Sequence, residues 1–118
     1  MKRPLVYVTA AWGDDHVENA KNAAKYCRAL YEVGYFPICP ILFLPLFLHD
    51  EIPWEHKDGQ EMAKAFLCRA QVLVVCGEET SEGVKNDIAM AQRLWITTTT
   101  LDGVLAIKKR GRVSANEK

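Results

Sequence analysis

One short segment combines an acidic side chain with the setting that a reactive carboxylate needs. Residues 72–76 form a continuous apolar run, too short for a helix and typical of a strand buried on both faces. Gly77 ends the run, and a polar loop leads to a helix whose N-cap is predicted at Thr80 or Ser81. Asp87 follows about one and a half turns into that helix. Because helical side chains lean toward the N-terminus, its carboxylate is expected to point back at the loop.

The start of this helix supplies further candidates. A helix N-terminus presents unpaired N–H groups and partial positive charge, and parallel α/β sheets bind ligands where strands end and helices begin. Ser81, Glu82 and Gly83 lie there, so they are candidate ligand-binding residues together with Gly77. Simpler roles stay open: Asp87 can be a solvated acid that the helix dipole favours, and Ser81 can be a plain N-cap.

The first strand-to-helix connection carries a second group of candidates. Residues 5–10 are β-branched and aromatic and predict a strand that ends in the loop 11–15. Trp12 in this loop is a candidate for stacking on a base, or alternatively an aromatic residue at an oligomer contact. Asp14 is an acid that the loop could bring near a ligand. Tyr7 predicts a core residue whose hydroxyl needs a polar partner, and a carboxylate such as Asp87 would serve.

The elements that position these residues alternate between strand and helix. Gly34 is predicted to close the first helix. Strands are predicted at residues 5–10, 35–39, 72–76 and 95–100, and helices at residues 17–31, 57–69 and after Ser81. This alternation predicts an α/β fold: a small doubly wound parallel sheet of flavodoxin or Rossmann type, flanked by helices, with strand order 2-1-3-4.

An unusually apolar loop interrupts this alternation between Pro40 and Pro53. Its segment 41–48 is almost entirely apolar and must be covered by its own domain, by a partner subunit or by a ligand. Phe43 and Phe47 are therefore candidate ligand-binding residues, and the segment is expected to form a homo-oligomer. Prolines break the region, which is too short to span a bilayer.

Composition limits the function classes. The 118 residues suit one domain, and 15 basic residues balance 15 acidic ones, so neither a membrane nor nucleic acid is an expected partner. Four cysteines without a C-x-x-C pair predict free thiols in the cytoplasm, and the N-terminus has no cleavable signal-peptide pattern. The three histidines have no metal-ligand spacing, so no metal and no cofactor is expected.

The predicted domain covers residues 1–107 and leaves a polar, basic tail. Residues 108–118 contain the basic run 108–112 and are expected to be a flexible, solvated tail, with an anion-binding arm as the alternative.

Several motifs, taken in order, resemble the nucleoside 2-deoxyribosyltransferase-like superfamily, in particular a branch of small bacterial and phage proteins. The likeness covers roughly residues 5–101 and implies one domain of that fold. It is carried by residues 6–10, Asn19 with residues 24–27, residues 34–40, residues 43–48, and residues 81–88 with Ala91. Thr9, in the first of these motifs, is a further candidate ligand-binding residue.

The resemblance implies a chemistry. Active members cleave the N-glycosidic bond of 2-deoxynucleosides or deoxynucleotides by attack of a glutamate on the anomeric carbon. Asp87 falls at that nucleophile position, and Tyr7 matches a tyrosine near the nucleophile. Two supporting aspartates of the family fall on neutral residues here, one on Ser81 and the other on Gln71 or its neighbour Ala70.

Three functions are therefore compatible with the sequence. The chain can be a deoxyribosyl transferase or hydrolase that acts through Asp87 on a nucleoside or nucleotide. It can instead be a sensor or sequestering protein that binds a nucleotide-like ligand without the chemistry, or an oligomeric scaffold. Active relatives complete their sites across subunits, which also implies a homo-oligomer.

Overall fold

The alternation of strand and helix is present in the computed structural model, which describes residues 3–107. The strands are β1 (Leu5–Ala10), β2 (Phe36–Ile38), β3 (Val72–Cys76) and β4 (Thr97–Thr100), and the helices are α1 (His16–Glu32), α2 (Pro53–Arg69) and α3 (Glu82–Arg93). Two 3₁₀ turns, Pro40–Leu42 and Leu44–Leu46, shape the loop before α2. Residues 101–107 form a further helical segment.

All four strands are parallel and lie in the order β2-β1-β3-β4. Strand β1 is central: its Tyr7 is in register with Ile38 of β2 and Leu73 of β3. The predicted α/β class and strand order are confirmed. Parallel strands bring all their carboxyl ends to one edge of the sheet, where a site is expected.

Alternation along β1 divides the core into two layers. On one face, Val6 and Val8 pack with Leu30 of α1 and Val104 of the segment 101–107. On the other face, Tyr7 packs with residues of α2, β3 and α3, namely Leu67, Leu73 and Ala91. Odd-numbered residues of β1 therefore face the layer that contains α2 and α3.

Local capping explains where two helices begin. Asp15 accepts a hydrogen bond from the Glu18 backbone N–H (3.1 Å) at the start of α1, and Ser81 accepts one from Val84 (3.3 Å) at the start of α3. Of the two caps predicted for α3, Ser81 is the one observed. Gly34, with φ at +99°, follows the last turn of α1, as its position in the sequence predicts.

Some predicted boundaries were wrong. Helix α2 begins at Pro53 rather than at Lys57, because proline is well suited to a first helical turn, where its missing N–H has no partner to lose. The helical spacing of Met62 with Ala63 and Phe66 predicts a place on the inner face of α2, but Met62 is 40% exposed. Strand β4 begins at Thr97, because Trp95 has a φ of +60° and ends the turn after α3 with its side chain 95% exposed.

The helical segment 101–107 was not predicted. Thr100 accepts a hydrogen bond from the Gly103 backbone N–H (3.0 Å) and so caps this segment. The cap could not be recognised from the sequence, because Thr100 belongs to a run of four threonines, and threonine favours strands. The predicted tail 108–118 lies outside the described residues. Within the described part of the chain, no helix has the length and apolar character needed to cross a membrane.

Candidate functional site

The centre of the candidate site is a hydrogen bond between β1 and α3. The Thr9 hydroxyl donates to Oδ2 of Asp87 across 2.7 Å. Thr9 is 5% exposed, at the carboxyl half of β1 on the face that α3 covers. The sequence predicts that the Asp87 carboxylate points at the loop before α3, and the partner that the structure gives it is Thr9 on β1. The bond fixes one carboxylate oxygen and leaves the other for a ligand.

Burial changes the ionisation of both acids at this point. Removal from water raises the pKa of Asp87, and the hydrogen bond from Thr9 opposes part of that rise by stabilising the ionised form. The pKa of Tyr7 is raised first by burial, then by the nearby Asp87 carboxylate and by Cys39. Tyr7 therefore stays a neutral phenol beside a carboxylate that is poorly solvated.

Asp87 and Tyr7 line a cavity of about 520 Å³, here called the Asp87 cavity. Its remaining walls come from the β1–α1 connection, the loop before α2 and one face of α2. They are formed by Trp12, His16, Pro40, Ile41, Leu44, Pro45, Leu48, Asp50, Glu55, His56, Gly59, Gln60 and Ala63. Apolar and ionisable side chains thus enclose one space next to the Asp87 carboxylate.

The apolar loop is covered in part by its own domain. Leu44 is buried, and Phe43 packs edge to face on Phe66 of α2 with ring centroids 5.7 Å apart. Leu46 and Phe47 remain 83% and 57% exposed. The two phenylalanines predicted to bind a ligand therefore lie apart from the lining of the Asp87 cavity, while their neighbours in the loop form its wall.

A histidine–carboxylate pair at the cavity was not predicted. Nδ1 of His56 contacts Oδ1 of Asp50, and both residues line the cavity. Nearby, the His49 backbone N–H donates to Glu55 Oε1 (2.9 Å). A search for metal-ligand spacing could not find the pair, because a carboxylate in a loop and a histidine in the next helix come together only once α2 begins at Pro53.

A groove between α2 and α3 adjoins the Asp87 cavity at Asp87. It has a volume of about 450 Å³. Lys57, Lys64 and Arg93 contribute positive charge to it. Asp87 therefore lies where a largely apolar cavity and a more polar groove meet.

Other predicted site residues have structural roles or lie at the surface. Asp14 and Glu82 are exposed, and Glu82 pairs with Lys85 at 3.8 Å. Ser81 caps α3. A Cβ atom at Gly83 would be 3.7 Å from the Ser81 hydroxyl, which is ordinary contact, so no close backbone approach requires glycine there.

Gly77 does require glycine, for a reason unrelated to the Asp87 cavity. Its φ is +83°, and a Cβ atom would lie 3.1 Å from the Tyr26 hydroxyl. It lines a small pocket of about 180 Å³ with Asn19 and Glu79. The structure thus brings together Tyr7, Thr9, Trp12 and Asp87 from the predicted set.

The cysteines and the possible metal ligands of the described residues supply neither a disulfide nor a metal centre at the site. Cys27, Cys39, Cys68 and Cys76 are free thiols. Across residues 3–107, no cluster of three or more histidine, cysteine or acidic side chains could hold a metal ion.

The fold and the site define a class: a small, doubly wound α/β protein with a partly desolvated carboxylate in a cavity at the carboxyl edge of its sheet. The chain belongs to the family described as a domain of unknown function (DUF7768), whose model matches residues 4–101. A comparison with curated proteins finds no match.

Proposed function

We propose that this protein is a deoxyribosyl transferase or hydrolase that cleaves the N-glycosidic bond of a 2′-deoxynucleoside or deoxynucleotide. The observation that carries the proposal is the Asp87 carboxylate, held by Thr9 at 2.7 Å in the wall of a cavity of about 520 Å³. That volume is in the range of small-molecule sites. The resemblance to the nucleoside 2-deoxyribosyltransferase-like superfamily supplies the reaction type.

Asp87 is the nucleophile in this proposal. Its free oxygen forms a bond to C1′ while the C1′–N bond breaks and the electron pair leaves with the base. Water or a second base then attacks C1′ and restores the carboxylate. Burial weakens the solvation of the carboxylate, so less water has to be displaced before attack, and Thr9 fixes the orientation of the group.

Trp12 provides a place for the base. It is half-buried in the cavity wall, and its ring meets His16 edge on with centroids 6.3 Å apart. Ile41 and Leu44 line the same cavity and offer apolar contact. An aromatic ring and aliphatic side chains favour a flat heterocycle over a free sugar.

A second candidate function is ligand binding without turnover. Ser81 is occupied as the N-cap of α3. The Gln71 backbone N–H donates to Leu5 O (2.8 Å) at the amino end of β3, roughly 13 Å along the strand from Thr9 and its neighbours. Neither position offers an acid to the leaving base, which favours a protein that senses or sequesters a nucleotide-like ligand.

The experiment that separates the two is a screen of deoxynucleosides and deoxynucleotides. Base release is followed by chromatography and binding by thermal shift, for the wild type, Asp87→Ala and the control Asp58→Ala, an exposed acid on α2 that lines neither the cavity nor the groove. Release that Asp87→Ala abolishes and Asp58→Ala retains supports the enzyme. Thermal stabilisation without base release supports the binding protein. If neither stabilisation nor release is observed, the oligomeric scaffold is the function that remains.

We also propose that the partner of this chain is a second copy of itself. Leu46, Phe47 and Trp54 are 83%, 57% and 68% exposed on the loop and the first turn of α2. Each is next in sequence to a residue that lines the cavity, so association that covers these exposed apolar side chains would take place beside the cavity. Light scattering is expected to give an oligomer for the wild type and a smaller species for Leu46→Ser with Phe47→Ser. A monomeric wild type would contradict this proposal.

A further inference from the structure

The proposed reaction needs a group that transfers a proton to the leaving base, in addition to the Asp87 nucleophile. A purine or pyrimidine leaves a sugar readily only when a proton reaches it, and general acid help is typically worth about 10²–10⁴-fold. The residues at the supporting-acid positions of the resemblance, Ser81 and Gln71, are neutral. The acid has to come from elsewhere in the cavity wall.

Six ionisable side chains line the cavity, and most are already assigned or engaged. They are Tyr7, His16, Asp50, Glu55, His56 and Asp87. Tyr7 is a poor proton donor because burial raises its pKa. Glu55 accepts the His49 backbone N–H, and Asp87 is the nucleophile. Asp50 and the two histidines remain, and of the histidines His56 is the one paired with Asp50.

The contact with Asp50 determines which nitrogen of His56 is available. Nδ1 lies against Asp50 Oδ1, so a carboxylate there accepts the Nδ1 proton. The catalytic proton is therefore carried on Nε2. The side chains of His56 and Asp50 are 48% and 86% exposed, so the pair lies at the mouth of the cavity, where water can exchange its proton.

The backbone keeps the two residues in position. The Ile52 N–H donates to His49 O (3.0 Å), and the His56 N–H donates to Ile52 O (2.9 Å). Ile52 takes part in both bonds and lies between Asp50 and His56 in sequence, so the bonds join the end of the loop to the first turn of α2. The backbone positions of Asp50 and His56 are thus set by local structure.

We infer that His56, oriented by Asp50, is the general acid and then the general base of the site in which Asp87 is the nucleophile. This inference depends on the proposed function. As Asp87 bonds to C1′ and the C1′–N bond breaks, the proton on Nε2 passes to the departing nitrogen of the base. Neutral Nε2 next takes a proton from the attacking water, whose oxygen bonds to C1′ and releases the Asp87 carboxylate.

The test compares two leaving groups in His56→Gln. With a 2′-deoxynucleoside that the wild type cleaves, we expect base release to slow by about 10²–10⁴-fold. The second substrate is a 4-nitrophenyl 2-deoxyriboside, whose leaving group departs without a proton. Its nitrophenolate burst reports only the first step, the attack of Asp87 on C1′. We therefore expect the rate of this burst to fall by less than about threefold. Asp50→Asn should show the same selectivity with a smaller loss.

Three further variants complete the experiment. His49→Gln, in the loop before α2 and outside the cavity lining, is the matched control and is expected to keep both rates. His16→Gln tests the other histidine. If this variant, and not His56→Gln, loses activity on the 2′-deoxynucleoside but keeps it on the nitrophenyl substrate, the assignment of His56 is overturned. Asp87→Ala should lose both reactions.

Each remaining outcome is also decisive. Equal losses on the two substrates in His56→Gln, or no loss on either, overturn the role of His56 and leave the proposed function intact. A wild type that releases neither base nor nitrophenolate overturns the proposed function and the role of His56 together.

Discussion

Two concave regions of this chain have equal volumes of about 520 Å³, but they differ in the ionisable groups that line them. The largely apolar Asp87 cavity includes carboxylates and histidines, whereas the other region includes two arginines. The second region, here called the Arg3 groove, lies on α1 and β2 and is lined by Arg3, Ala24, Cys27, Arg28, Tyr31, Tyr35, Phe36 and Pro37.

Polar groups of the Arg3 groove are engaged with one another. The Arg3 guanidinium donates to the carbonyls of Tyr31 and Tyr35, each at 2.9 Å, and lies 4.4 Å from the centre of the Tyr31 ring. Arg28 lies 5.2 Å from the same ring and pairs with Glu32 at 3.7 Å. Such contacts hold Arg3 against the C-terminal end of α1. Size therefore does not separate the two regions, and the desolvated carboxylate is the reason that the Asp87 cavity is the candidate site.

The largest expected effect follows from exchanging one charged side chain in each region. Asp87→Asn should lower base release by more than about 10³-fold, because an amide cannot act as the nucleophile. Arg28→Ala should change it by less than about twofold. Steady-state kinetics on the same substrate measure both. A comparable loss in Arg28→Ala would contradict the assignment of the function to the Asp87 cavity.

A smaller effect is expected when the carboxylate remains and its partner is removed. Thr9→Val should reduce kcat by about 10–100-fold, because Asp87 loses its fixed orientation. It should also raise the pKa of Asp87, since the Thr9 hydrogen bond lowers that pKa in the wild type. The acid limb of the pH–rate profile is then expected to move to higher pH. An unmoved limb would mean that a group other than Asp87 controls it.

Stability should depend on the same carboxylate with a predictable sign. Because burial raises the pKa of Asp87, the folded state binds more protons than the unfolded state over an interval that begins near pH 4. The free energy of unfolding therefore falls as pH rises through the interval to the raised pKa. Above it, Asp87→Asn should melt a few degrees higher than the wild type.

Thermal melts from pH 3 to pH 8 check this prediction. Asp58→Asn, an exposed acid, is the control and should follow the wild-type curve. If Asp87→Asn were less stable than the wild type at pH 8, the carboxylate would be stabilising the fold rather than being held at a cost.

The smallest effect is expected in the Arg3 groove. Arg3→Ala removes two hydrogen bonds and a contact with the Tyr31 ring at an exposed position, which is worth about 1 kcal/mol of unfolding free energy. Base release should be unchanged. Denaturant titration measures the first quantity, and lost turnover without lost stability would show that this groove also binds substrate.

Much of the fold was predictable because it depends on local patterns. The apolar run of β3, the cap at Ser81 and the spacing of α1 each indicate an element without reference to the rest of the chain. The strand order follows from the alternation of elements. The place of Asp87 on α3 was predictable as well, because it depends only on where that helix begins.

The parts that could not be predicted depend on contacts between segments. The Asp50–His56 pair requires the exact path of the loop into Pro53, and no periodicity encodes that path. The exposure of Phe47 beside the partly buried Phe43 likewise depends on two 3₁₀ turns. The composition of a loop indicates that it needs cover, but which side chains receive it is decided by packing.

The three tryptophans give this protein an optical property. Trp54 and Trp95 are 68% and 95% exposed, whereas Trp12 is half-buried in the wall of the Asp87 cavity. Because Trp54 lies where the proposed association would cover it, the comparison is between Trp95 and Trp12, and the emission of Trp12 should lie to the blue. A base stacked on its indole would quench that blue component selectively and leave the red emission unchanged. The fluorescence of the unlabelled chain thus reports directly on whether the cavity is filled.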